Sequence, residues 1–167
     1  KLEEAMDSDL IISSAGVSKV DNDMVKDIMS EHGDLQFWSV RMRPAKPLAF
    51  GILNKNSRKA VPLIGLPGNP VSSLVAFEQF CRPAIQKMMG KTNLERPIIK
   101  AVLKDSIENY DGRRVYARVV VTKTETGFVA ETTGNQDSNI LTSMLKANGL
   151  AICPEDERGK NPGDIVR

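Results

Sequence analysis

The first candidates for a functional site are two cations in one short loop. Arg43 and Lys46 are three positions apart, and Pro44 and Pro47 stiffen the loop around them. Guanidinium and ammonium groups hold oxyanions through charge-assisted hydrogen bonds. The pair is therefore suited to a phosphate ester or a metal oxyanion. The alternative is that both are solvated surface charges.

Two further loops contain glycines where a polar turn leads into a predicted helix. Gly16 lies in the segment SSAGVSKVDND, and Gly65 and Gly68 lie in GLPGNP. Glycine lets a ligand approach the backbone closely, and the free N–H groups at a helix N-terminus favour anions. Asn69 and Pro70 are also typical of a helix cap and first helical residue, so this turn has a purely structural interpretation as well.

The predicted elements bring these loops to one edge of a sheet. Strands are predicted at 9–13, 35–42, 48–53 and 60–64, and helices at 23–33 and 71–89. A helix separates the first two strands, so they should run in parallel. Two short connections then reverse the chain twice, which returns the fourth strand to the same direction. The loops 14–22, 43–47 and 65–70 should therefore meet where ligands bind in open α/β sheets.

After residue 91 the pattern changes to short strands separated by turns. Hairpin corners are predicted at Asp111-Gly112 and Thr126-Gly127, and a short helix at 140–146. We expect two domains. Residues 1–91 would be the C-terminal part of an α/β domain of three layers with a mixed sheet, and residues 92–167 a small, mostly β, barrel-like domain.

Composition excludes several classes of function. The net charge of +2 is too small for a dedicated nucleic-acid binder, and no apolar run reaches the roughly 20 residues that span a membrane. Arg58-Lys59 and Arg113-Arg114 are short basic pairs without interleaved aromatic residues. With two cysteines, one histidine and no CxxC pair, a Cys/His metal site is not expected. The prediction is a reduced, cytoplasmic protein that binds neither nucleic acid nor membranes.

Four segments resemble the molybdopterin molybdenumtransferase family, which includes MoeA and the E domain of gephyrin. These segments are SSAGVSKVDNDMVK, MRPAKPLAFG, GLPGNPVSSLVAFEQFCRP and TTGNQDSNILTSMLKANG. They occur in the order of the family and are spread from residue 13 to residue 149, so the resemblance extends over essentially the whole chain.

The resemblance implies an enzyme that takes adenylylated molybdopterin and molybdate and releases molybdenum cofactor and AMP, assisted by a divalent cation, typically Mg²⁺. It assigns Asp23 as an active-site acid at the metal, and Arg43 and Lys46 as the basic pair for molybdate or phosphate. The other positions matched to substrate-binding loops are Ser14, Gly16, Ser18, Pro67, Gly68, Asn69, Pro70 and Ser138.

The chain departs from the family pattern at four positions. Ala15 and Ala45 stand where the family has glycine, Val20 stands where glycine is common, and Arg43 replaces a frequent lysine. Arginine keeps the charge but changes the hydrogen-bond geometry. The family also has N-terminal domains and a homodimeric active site, so we expect this C-terminal portion to turn over substrate poorly on its own.

Two other functions compete with this interpretation. The adenylyltransferase that activates molybdopterin has a similar α/β domain, but the β-rich tail argues against it; that enzyme is also a candidate partner. A non-catalytic scaffold or pterin-binding module of gephyrin-like architecture is the second alternative. Molybdate and tungstate both remain open as the anion.

Overall fold

The computed structural model describes residues 2–15, 33–54 and 60–167, which divide into two compact units. The first unit comprises positions up to 40 and 45–94, and the second comprises Arg41–Pro44 and 95–167. The segment Arg41–Pro44 belongs to the second unit because β3 (Met42–Arg43) pairs in parallel with β8 (Arg114–Thr124) of that unit. The sequence had placed this segment with the first domain.

The first unit contains a four-stranded mixed sheet. Its strands are β1 (Ile11–Ser14), β2 (Gly33–Ser39), β4 (Pro47–Leu53) and β5 (Val61–Leu66). Their order is β1-β5-β4-β2, with β1 parallel to β5 and the other pairs antiparallel. The directions of the four strands are those predicted, but β1 and β2 lie at opposite edges because β5 and β4 occupy the positions between them. Ile11, Leu53, Val61 and Leu63 form a buried cluster in this unit.

The first unit also contains a short helix, α1 (Leu2–Ala5), before β1, and a long helix after β5. The long helix comprises α2 (Pro70–Ala76), a π-helical segment (Phe77–Cys81) and α3 (Arg82–Met88). Asn69 is the N-cap and Pro70 the first helical residue, as predicted. Pro83 lacks an N–H and its ring crowds the carbonyl four residues earlier. The wide π turn just before it relieves this conflict, so the helix is locally widened rather than broken.

The second unit is mostly β. Its strands are β6 (Ala101–Leu103), β7 (Ile107–Glu108), β8, β9 (Gly127–Thr132), β10 (Gly149–Cys153), β11 (Gly159–Lys160) and β12 (Ile165–Val166). The main sheet has the order β10-β8-β9-β6-β12, and β7 pairs with β11. The backbone N–H of Ile152 donates to the carbonyl of Arg167 at 2.9 Å, so the two ends of the sheet meet. The predicted class, mixed α/β followed by a barrel-like β region, is confirmed.

One of the two predicted hairpin corners is correct. Gly127 pairs with Thr124 across the turn that joins β8 and β9. The prediction for Asp111-Gly112 is wrong, because β7 pairs with β11 instead of β8. The short helix α4 (Leu141–Lys146) is where the sequence predicted it. Within the described residues, no helix has the length and apolar character needed to cross a membrane.

Candidate functional site

Three chain segments meet at one edge of the first unit's sheet. β1 ends at Ser14 and β5 ends at Leu66, and the register pairs these two residues. β4 begins at Pro47 at the same edge, since Ala49 pairs with Gly65 near the end of β5. Among the described residues, the strand directions are therefore those that the predicted convergence of loops requires.

The first and third of the predicted loops contact each other at this edge. The backbone N–H of Ala15 donates to the carbonyl of Leu66 at 3.1 Å. A Cβ added at Gly68 would lie 3.4 Å from the Cβ of Ala15. Asn69 Oδ1 accepts from the backbone N–H of Ser72 at 3.5 Å, so the Asn69 side chain caps the helix. The prediction that Asn69 caps this helix is therefore confirmed.

Two alanines adopt a left-handed backbone conformation. Ala15 has φ 81° and Ala45 has φ 76°. This region costs an L-residue roughly 1–2 kcal/mol because the Cβ crowds the following carbonyl oxygen, and glycine avoids that cost. Both positions carry glycine in the family that the sequence resembles. The chain therefore keeps a backbone shape suited to glycine while carrying alanine.

The second unit contains a cavity with a volume of about 340 Å³. This volume lies within the roughly 300–1,000 Å³ of small-molecule sites. Its lining residues come from β3 and the following proline, from the segment around β7, from β8 and from the turn after β9; they are Arg43, Pro44, Ser106, Ile107, Glu108, Tyr110, Val115, Arg118, Asn135, Gln136 and Asp137. Two arginines and two acidic residues are therefore among the residues that line this one cavity.

Arg118 is the more enclosed of these two cations, with 1% of its surface exposed. Its Nε donates to Ser143 Oγ and its Nη2 donates to the Asp137 carbonyl, each at 3.1 Å. Burial lowers the pKa of Arg118, and among the described residues only the charge of Asp137 opposes that shift. Arginine nevertheless stays charged at neutral pH. Burying a charge is costly unless it is paired, so this cation favours an anionic partner in the cavity.

Gln136 holds the backbone of Arg118 from both sides. Its Oε1 accepts from the Arg118 N–H at 2.7 Å, and its Nε2 donates to the Arg118 carbonyl at 3.2 Å. The segment TTGNQDSN thus packs against the middle of β8, and this contact fixes where the guanidinium enters the cavity.

Arg43 is held by side-chain and backbone groups of the second unit. Its guanidinium lies 4.3 Å from the centre of the Tyr110 ring, in a cation–π contact. Its Nη2 donates to the carbonyl of Glu108, and its Nη1 lies 3.9 Å from Asp111 Oδ2. Asp111 is bound more closely by Arg113, and this hydrogen bond holds the pKa of Asp111 below its usual value. Arg43 and Arg113 therefore share this carboxylate, with Arg113 the closer of the two.

The predicted site residues fall into three groups. Ser14, Lys46, Pro67, Gly68, Asn69 and Pro70 belong to the first unit, and Arg43 and Ser138 to the second. Lys46 is exposed, and its carbonyl accepts from the Val40 N–H at 2.8 Å. Ser138 is half-buried and directly follows Asp137, which lines the cavity. Gly16, Ser18 and Asp23 lie outside the described residues.

The metal prediction rests on one residue that the structure does not describe. Asp23 is the acid that the resemblance assigns to Mg²⁺. Within residues 2–15, 33–54 and 60–167, no group of three His, Cys, Asp or Glu side chains is arranged to hold a metal ion.

The sequence did not identify Arg118 or Tyr110. A signal for Arg118 existed, because it is a single charge within the apolar run VYARVVV, and a charged residue is rarely fully buried without a partner. No comparable signal existed for Tyr110, an isolated aromatic beside a turn. Its contact with Arg43 depends on the pairing of β3 with β8.

Two family models match consecutive parts of the chain. Residues 1–87 match the model of a family described as "probable molybdopterin binding domain", and residues 100–167 match the MoeA C-terminal region, domain IV. A molybdopterin molybdenumtransferase of Haemophilus influenzae is 30% identical over 161 residues, covering 95% of this chain and 39% of that protein. Molybdopterin molybdenumtransferase 2 of Mycobacterium tuberculosis is 37% identical over 159 residues, covering 91% of this chain and 37% of that protein.

A solved structure has the same fold. The molybdopterin biosynthesis MoeA protein from Pyrococcus horikoshii superimposes with a TM-score of 0.69 at 28% identity, covering 99% of this chain and 36% of that protein. The chain thus spans less than two fifths of the length of each of these three proteins. The first family model covers 87 of its 167 residues. The chain therefore belongs to the molybdopterin-binding domain family of molybdenum cofactor biosynthesis, and it carries the MoeA C-terminal region after that domain.

Proposed function

We propose that this chain takes part in inserting molybdate into adenylylated molybdopterin with release of AMP, and that the cavity of its second unit binds the oxyanion. The names of its relatives support the reaction. The chemistry of the cavity supports the ligand class, because molybdate and phosphate esters are both tetrahedral oxyanions. The chain spans under two fifths of its relatives, so complete turnover is proposed only together with the parts that it does not span.

The buried guanidinium of Arg118 is the observation that carries this proposal. Nε and Nη2 already donate to the protein, and Nη1 makes no hydrogen bond to a described residue. An oxyanion in the cavity would accept from this remaining donor and would neutralise the charge that burial has deprived of water. Such a charge-assisted bond is roughly twice as strong as one between neutral groups.

Arg43 is the second cation of the proposed anion site. Its stacking on Tyr110 and its bond to the Glu108 carbonyl hold it at the cavity wall before any ligand arrives. A group that is already ordered loses less entropy on binding than a flexible one. This supports a role for Arg43 in holding the anion, as the family resemblance implies.

Several finer expectations belong to the same proposal. Lys46 and the loop from Pro67 to Pro70 would bind the pterin or phosphate at the sheet edge of the first unit, together with Ser14, Gly16 and Ser18. Ser138 would assist at the cavity, and Asp23 would act through Mg²⁺, which can stabilise charge at the leaving phosphate. We also propose that the protein forms a homodimer, contacts the molybdopterin adenylyltransferase and is located in the cytoplasm.

The test is equilibrium binding of molybdate to the 167-residue chain by calorimetry, with Arg118→Gln, Arg118→Lys and Arg43→Gln as variants. A lost charge-assisted hydrogen bond costs about 1.5–3 kcal/mol. We therefore expect Arg118→Gln to weaken binding by about tenfold or more, and Arg118→Lys, which keeps the charge, by less. Arg158→Gln is the matched control, because Arg158 is an exposed arginine of the same unit that does not line this cavity.

Two results would contradict the proposed anion site. Equal molybdate affinity in Arg118→Gln and Arg158→Gln would contradict a site at Arg118, provided that circular dichroism shows both variants folded. If Arg118→Gln does not fold, Arg118→Lys supplies the comparison. The absence of molybdate and phosphate binding by the unchanged chain would overturn the proposed anion site.

A further inference from the structure

One face of the Tyr110 ring lies open beside the cavity. Tyr110 is 80% exposed, the largest exposed fraction of any aromatic residue in the described part of the chain. It nevertheless lines the cavity that also contains Arg43 and Arg118. An exposed aromatic ring at the rim of a cavity that contains two arginines can contact a ligand that those arginines hold by their charge.

The opposite face of the same ring is already occupied. The guanidinium of Arg43 lies 4.3 Å from the ring centre, and Arg43 is itself anchored to the carbonyl of Glu108. This contact restricts the orientation of the phenol ring, so a planar guest would lose little further entropy by stacking on it. Aromatic rings prefer offset stacking, which the open face permits.

The charges around the ring decide which guest suits it. Asp111 is the acidic side chain bound next to Arg43, and Arg113 forms a closer ion pair with it. Glu108 and Asp137 also line the cavity, so its lining carries both signs of charge. The cation nearest the ring is the Arg43 guanidinium, which favours an anion within reach of the ring. A guest with both an aromatic plane and a phosphate would satisfy the ring and the cations together.

We infer that Tyr110 and Arg43 form a stacking subsite for a flat nitrogen heterocycle joined to a phosphate. The inference rests on the proposed function, because it requires an anion in the cavity to bring the heterocycle to the ring. Adenine and pterin share this chemistry, and the substrate of the proposed reaction contains both. Protein rings stack on such bases through their π faces, and alanine substitution typically removes about 1–3 kcal/mol per base, or roughly five- to 150-fold in affinity.

The experiment compares four probes on the whole chain: AMP, ribose 5-phosphate, inorganic phosphate and pterin. The variants are Tyr110→Phe and Tyr110→Ala, with Trp38→Ala as a control, since Trp38 is an exposed aromatic residue of the first unit. We expect Tyr110→Ala to weaken AMP binding about five- to tenfold, and Tyr110→Phe to weaken it less than about twofold. Inorganic phosphate and ribose 5-phosphate should be weakened by Tyr110→Ala less than AMP is, because they lose only the ordering of Arg43. Upfield NMR shifts of the adenine protons, present with Tyr110→Phe and lost with Tyr110→Ala, would show the stacking directly.

Different results overturn different claims. If Tyr110→Ala weakens AMP and ribose 5-phosphate by the same factor, Tyr110 acts only by holding Arg43, and the stacking subsite is wrong while the anion site stands. If phosphate binding is unaffected by Arg118→Gln, the proposed anion site fails, and the subsite fails with it. A pterin, rather than AMP, showing the dependence on Tyr110 would identify the pterin as the heterocycle.

Discussion

Arg118 Nε donates to Ser143 Oγ at 3.1 Å inside the second unit, and each of the two residues is 1% exposed. The same hydroxyl donates onward to the Ile140 carbonyl at 2.6 Å, so Ser143 connects the β8 cation to the start of α4. The bond links two segments 25 positions apart in the sequence. Its loss should be measurable in the stability of the second unit.

Replacing Ser143 with alanine should destabilise the protein. The change removes the acceptor for Arg118 Nε and leaves a buried charged donor without a partner, which costs about 1–3 kcal/mol. Urea unfolding should show this decrease in the free energy of unfolding. Thr142→Ala is the control, because Thr142 lies on the exposed side of the same helix and should change stability by less than about 0.5 kcal/mol. Equal effects of the two changes would show that the Arg118–Ser143 bond contributes nothing.

Asp111 should contribute to stability above mildly acidic pH. Its pKa in the folded protein is lowered, first by the hydrogen bond from Arg113, with further contributions from the charges of Arg113 and Arg43. A depressed folded pKa means that the stabilisation is present above the unfolded value of about 3.9 and is lost as pH falls through the folded value. Asp111→Asn should therefore reduce stability at neutral pH and flatten its decline below about pH 4. Asp156→Asn, at an exposed acid of the same unit, is the control, and identical acid profiles for both variants would contradict the prediction.

Ala15→Gly should stabilise the first unit. Relief of the left-handed conformation at φ 81° is worth about 1–2 kcal/mol, and the greater freedom of glycine in the unfolded chain offsets about 0.4–1 kcal/mol of it. The expected net gain is about 0.5–1 kcal/mol, measured by thermal unfolding. Ala60→Gly is the control, because Ala60 is also exposed but does not have a positive φ. This change should therefore lower the free energy of unfolding. A decrease in both variants would show that the backbone at Ala15 carries no such cost.

The two cysteines should react with thiol reagents only when their own unit opens. Burial raises the pKa of Cys81 to about 11 and also raises that of Cys153, and both residues are 0% exposed. The thiolate is the reactive form, so labelling at pH 8 should be far slower than for a free cysteine. Cys81→Ala and Cys153→Ala variants leave one thiol in the second and the first unit respectively, and their labelling rates should follow urea unfolding of that unit. Fast labelling without denaturant in either variant would contradict this.

Local sequence patterns were sufficient where neighbouring residues decide the structure. The start of α2 could be predicted because Asn69 and Pro70 satisfy the needs of a helix N-terminus by themselves. The reversal between β4 and β5 could be predicted because the connection is too short for a crossover. The order of the strands in the sheet could not be predicted, because hydrophobic periodicity identifies a strand but does not show which strand pairs with it. The prediction at Asp111-Gly112 failed for the same reason: a turn signal does not say which strand will pair beyond it.

The fold class, the directions of the strands and the family could all be predicted from patterns and motifs of the sequence. The pairing of the two residues of β3 with the second unit could not, and this pairing brings Arg43 to the Glu108 carbonyl, 65 positions away. The tertiary structure also decided that Arg118, one charge within an apolar strand, lies buried at the wall of a cavity. The physical reason is that burial and charge pairing depend on contacts between distant segments, whereas helix caps and turns depend on a few adjacent residues.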